Sequence, residues 1–144
     1  MDYSKIIQQA QQSAAQKEAE LERERLAALE RLEAQRNALV TFFRQEIIAE
    51  LENAQNHLEE AKIWAEIVND NTPECMQYSL RIPSCRPKGI VFRFLRSTGL
   101  AEYKIEYAIQ TASFQTFFND FTAIEPTQEN VQALIGDYIT KALS

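Results

Sequence analysis

The sequence predicts an α+β protein: a long N-terminal helix or coiled coil, then a small three-stranded antiparallel meander covered by one or two C-terminal helices. Three observations carry this. All four prolines and all three glycines lie from Pro73 onward, so residues 1–72 hold no helix breaker. That stretch is rich in Ala, Glu, Gln, Leu and Arg, the strong helix formers. After Pro73 the apolar residues change from helical spacing to strict alternation. A chain of 144 residues cannot hold two full globular cores, so the division is read as a stalk, 1–72, and a head, 73–144.

The best-patterned part of the stalk is Ile47, Leu51, Ala54, Leu58, Ala61, Ala65 and Val68, whose alternating steps of 4 and 3 make a heptad seam. Upstream, Leu21, Ala28, Leu32, Leu39 and Phe43 continue an apolar stripe with skipped turns. The segment "QQAQQSAAQK" offers only alanine beyond Ile6 and Ile7, so that end is expected to fray. A helix of about 65 residues would be near 100 Å long, more than a small head can cover. A second copy of the same seam is the simplest cover, which predicts a homodimer. The alternative is a hairpin within one chain, turning near residues 33–37 or 53–56, where neither Gly nor Pro assists.

In the head, Met76, Tyr78, Leu80 and Ile82 alternate with polar residues, as do Tyr103, Ile105, Tyr107 and Ile109. Between them "IVFRFLR" places Ile90, Phe92 and Phe94 on one face and Val91, Arg93 and Leu95 on the other. With loops at 83–89 and 97–100, Leu80 faces Phe92, Ile82 faces Ile90, Phe94 faces Tyr103, Phe92 faces Ile105 and Ile90 faces Tyr107. Phe114, Phe117, Phe118 and Phe121 then repeat at helical spacing behind Ser113. Thr127 opens a further helix carrying Val131, Leu134, Ile135, Tyr138 and Ile139. Ten of the fourteen aromatic residues follow position 75, which puts the core in the head.

Charge marks the one candidate surface. The chain has formal net charge -6, yet residues 75–104 hold six basic residues and one acid. In the register above, Arg81, Arg93 and Lys104 share the outer face, with Arg93 directly opposite Lys104, a row that a purely structural design avoids. Glu102 and Glu106 stand diagonally to it. Arg86 and Lys88 occupy the proline-flanked loop "PSCRPKG", which Pro83 and Pro87 stiffen. Val91 and Leu95 would give this face an apolar centre, as in many protein interfaces. A solvated face, or pairing with Glu125, Glu129 and Asp137 of the terminal helix, is the plainer reading.

Catalysis finds little support. His57 is the sole histidine and reads as a surface residue of the helix. No Gly-rich phosphate loop, nucleophile elbow or paired-carboxylate cleft is recognisable. Cys75 and Cys85 are too few for a disulfide framework and unsuited to a zinc site, so free thiols are expected, with Cys85 flanked by basic residues. Trp64 and the Phe42–Phe43 pair read as packing residues. No metal or cofactor is called for, no run is long enough to cross a membrane, and a cytoplasmic location is expected. The expectation is therefore a non-enzymatic, homodimeric coiled-coil adaptor whose head offers a basic face to a protein partner; the alternative is a nucleic-acid-associated regulator that binds phosphate through the same face.

Overall fold

The computed structural model describes residues 2–72, 75–96, 102–111 and 121–144. The chain forms two compact units, Met1–Ala34 and Gln35–Ser144. Residues 3–34 of the first belong to α1 (Tyr3–Phe42), an element in which no residue is buried. The second holds the sheet and, among the described residues, every buried core side chain.

Within the second unit, α1 runs into a single π-helical turn, Phe43–Ile47, and then into α2, Ile48–Glu60. The turn has a physical role. Phe43, Ile47 and Leu51 are all fully buried, at successive steps of four. In an α-helix each such step drifts by about 40° around the axis, which would spread the three over about 80°. One wider turn absorbs the drift and aims all three at the sheet. Both sites at which a hairpin would have turned, 33–37 and 53–56, are helical.

The helix ends at Glu60, earlier than the sequence predicts, because Lys62 adopts left-handed backbone with φ 62°. Lys62 N donates to Glu59 O at 2.9 Å and Ile63 N to Leu58 O at 2.8 Å. These are the paired bonds of a Schellman closure, and Ile63 and Leu58 join the same apolar cluster, as that motif usually arranges. Such a stop normally advertises itself with glycine. Here it does not, and the short strand that follows was hidden in the helical pattern.

Among the described residues the sheet has five antiparallel strands rather than three, in the order β1 (Glu66–Asn69), β2 (Cys75–Arg81), β3 (Gly89–Arg96), β4 (Tyr103–Gln110) and β5 (Thr122–Ala123). The faces are as expected but the register differs by two residues. Phe92 pairs with Tyr78 and Tyr107, Ile90 with Leu80 and Ile109, and Phe94 with Met76 and Ile105. The loops cause the shift. Ile82 leaves the strand and donates to Lys88 O at 2.9 Å, and Arg96 pairs directly with Tyr103. A two-residue shift keeps every side chain on its face and changes only its neighbour.

The helices cover the inner face. Phe43, Ile47, Leu51 and Leu58 form one buried cluster with Leu80, Ile90, Phe92, Phe94 and Ile105, and α3 (Gln128–Ala142) adds Val131, Ile135, Tyr138 and Ala142. Thr127 caps α3 as expected, its Oγ1 accepting from Asn130 N at 3.3 Å. Glu50 of α2 accepts from Gln128 and Gln132 of α3 at 3.3 and 3.0 Å. The other helix expected from the sequence, over Phe114–Phe121, falls on residues outside the described set apart from Phe121, which is not helical.

This arrangement corrects the predicted dimer seam. Ile47, Leu51 and Leu58 are buried in the core of their own chain, with Ala54 packed against it. Ala61 lies in the turn, Ala65 is buried beyond it and Val68 belongs to β1. The 4–3 spacing is real, but its cover is the sheet.

Candidate interaction surface

The outer face of the sheet is organised around one acid. Glu106 stands opposite Arg93 in the register, so the predicted Arg93–Lys104 row does not exist; Lys104 stands opposite Leu95 instead. Arg93 Nε donates to Glu106 Oε2 at 2.8 Å, and Lys104 Nζ lies 2.6 Å from Oε1. Glu106 is only 4% exposed. Burial by itself pushes its carboxyl up, but the hydrogen bonds and charges of Lys104 and Arg93 outweigh burial and hold it below the ordinary carboxylate range. The Arg93 guanidinium also lies over the Phe121 ring, 3.5 Å from its centroid, a cation–π contact. Two of the cations read as partner-binding therefore serve the fold.

Val91, expected as the exposed apolar centre, is 1% exposed and buried together with Ser79 and Ala108 on this face. Leu95 is half-buried between Cys75 and Lys104. Arg81 is half-buried as well; burial pushes its pKa down, opposed by the charges of Glu66, its cross-strand neighbour, and Asp70. The side chain of Gln110 is buried with no hydrogen-bond partner among the described residues. It packs beside Gly89, where an added Cβ would lie 2.9 Å from Leu80 O and 3.0 Å from Arg81 Cγ, so close approach of the strands requires glycine there.

The remaining two cations read as partner-binding lie in the loop between β2 and β3. Arg86 is exposed and Lys88 half-buried. Its backbone is fixed from several sides. Lys88 N donates to Gln110 O at 2.8 Å, Cys85 N to Ile82 O at 3.0 Å, and Tyr138 Oη to Pro87 O at 3.0 Å. The Arg86–Pro87 peptide is cis. The loop backbone is thus anchored to β4 and α3 beside its two cations.

Other candidates separate cleanly. His57 is exposed, with Nδ1 2.9 Å from Asn53 O, and no group of three or more potential metal ligands exists among the described residues. Cys75 and Cys85 are free, half-buried thiols, and burial pushes the Cys75 thiol up. Phe43 packs in the core as expected, whereas Trp64 is 64% exposed in the single chain, in the segment after α2. Among the described residues no helix is long and apolar enough to cross a membrane. Sequence reasoning missed Glu106 as the hub of the outer face, although its two-residue spacing from Lys104 on one strand was the signal available. No family model, curated protein or solved structure matches the chain.

Proposed function

We propose that this is a non-enzymatic interaction protein that self-associates through the helical segment 2–34 and offers the Arg86–Lys88 loop to a protein partner of acidic surface. The observation that supports it is the exposure of Tyr3, Ile6, Ile7, Leu21, Leu26 and Leu29 on a helix with no buried residue. In proteins most helical stability comes from packing an apolar face rather than from propensity, so a long helix carrying an apolar stripe calls for cover. The dimer of this proposal uses the upstream stripe, because the Ile47–Leu58 seam is already occupied. Self-association would place two basic loops on one assembly, so that a dimeric or repeated target is held by avidity. A nucleic-acid partner is less favoured, since Glu106 already engages Arg93 and Lys104 and leaves fewer cations for phosphate.

Light scattering of the full chain at micromolar concentration tests the reading. Twice the chain mass is expected. Replacing Ile7 and Leu21 with glutamate should return the mass to that of one chain while the thermal midpoint of the sheet unit stays put, because both residues are exposed in the single chain. A wild-type monomer throughout the concentration range sinks the proposal.

A further inference from the structure

We propose that the segment 3–32 pairs with a second copy in antiparallel orientation, centred between Lys17 and Glu18. This rests on the self-association reading above and adds its orientation and register. The starting point is a shared spacing: Tyr3, Ile7, Ala10 and Ala14 are followed, each 18 positions later, by Leu21, Arg25, Ala28 and Leu32, all apolar except Arg25. Eighteen residues make five whole turns at 3.6 residues per turn, so both sets lie along one narrow stripe of α1, which is unbroken over this range. Tyr3 is 70% exposed and Leu21 65%.

The spacing of each set, 4–3–4, reads the same from either end. A second copy running the opposite way therefore sets stripe against stripe throughout. Tyr3 meets Leu32, Ile7 meets Ala28, Ala10 meets Arg25 and Ala14 meets Leu21. Three of these four layers put a long side chain against an alanine, which keeps the separation of the axes even. A parallel pair in register would instead stack alanine on alanine and leucine on leucine, and would press Arg25 against its own copy.

Charge favours the same orientation. Residues 2–17 carry Asp2, Lys5 and Lys17, a net charge of +1, whereas residues 18–34 carry six acids and three arginines, a net charge of -3. Antiparallel pairing brings the positive half against the negative half. Parallel pairing sets the two negative halves side by side, at an interaxial distance of about 8–10 Å that salt of physiological strength screens only partly. The central layer, two copies each of Lys17 and Glu18, is neutral. Arg25 holds Glu22 of its own helix at 2.6 Å, so its stem can lie along Ala10 of the other copy with its charge compensated.

Disulfide trapping in the full chain, with Cys75 and Cys85 replaced by serine, tests the orientation. Ala14→Cys and Leu21→Cys are made as separate chains, mixed and oxidised. The expected result is a covalent dimer as the main species in the mixture and its loss with either chain alone, because two copies of residue 21 would lie about 10 Å apart along the axis. Lys17→Cys, at the centre, should cross-link by itself and shows that the interface survives the substitutions. A Leu21→Cys chain that cross-links fully alone, with no gain on mixing, overturns the antiparallel register and leaves self-association standing. No cross-link with any of the three variants, together with single-chain mass by light scattering, overturns both.

Discussion

The segments before Ala34 and after Gln35 are built from similar helix-forming sequence, but their apolar residues meet different fates. In the second unit Phe43, Ile47, Leu51 and Leu58 are buried under the sheet. In the first, Leu21, Leu26 and Leu29 are about half exposed or more. The difference lies in what the chain supplies as cover. A π turn and a Schellman stop set the second stretch squarely on the sheet, whereas among the described residues of the upstream segment only Leu32 is even half-buried. An apolar stripe states that a helix needs a partner and does not state which one.

The sharpest contrast comes from truncating one side chain in each unit. Phe43→Ala should cost about 3–5 kcal/mol, since it empties a fully buried site. Leu26→Ala, at a site exposed in the single chain, should change the stability of the sheet unit by no more than about 0.5 kcal/mol. Urea denaturation of both variants reads the difference, and equal losses would break the comparison.

The outer face gives a smaller effect with a pH signature. Glu106→Gln removes the charge and turns one of the two acceptor oxygens into an NH2 donor facing a cation, and a loss of about 2 kcal/mol is expected because Arg93 and Lys104 retain partial access to water. The carboxyl of Glu106 is held below its unfolded value, so its contribution is complete above the unfolded pKa and is lost as pH falls through the lower folded pKa. Thermal midpoints of wild type and Glu106→Gln should therefore differ at neutral pH and converge in acid. A gap that stays constant down to strongly acidic pH would show that packing, rather than charge, is what Glu106 contributes.

The smallest effect sits at the helix stop. Lys62 has φ 62°, where a side chain costs roughly 1 kcal/mol, so Lys62→Gly should stabilise the chain by up to about that amount. Destabilisation would mean that the Lys62 side chain contributes contacts that the backbone account omits.

How much of this was legible follows from the period of each element. Alternation has a period of two, so the face of Phe92 or Ile105 could be read directly, and both are in the core. Register is fixed by loops, and Ile82 leaving its strand could not be read from alternation that includes it. That is why Arg93 was set against Lys104 instead of Glu106. β1 was missed because Ala61, Ala65 and Val68 continue the helical spacing and the residue that ends the helix is a lysine. Arg86 and Lys88 were legible as a loop, since prolines and a glycine mark one wherever they cluster.

The central claim is that the sheet unit is covered by its own chain and the upstream helix by another copy. Hydrogen exchange measured at several protein concentrations tests it most directly. On dilution, amides of residues 6–32 should lose protection while those of Phe43–Leu58 keep theirs, because only the former depend on association. Protection that falls in step in both stretches would make the Ile47–Leu58 seam a contact between copies, and protection that changes in neither would leave the upstream helix without a self-partner.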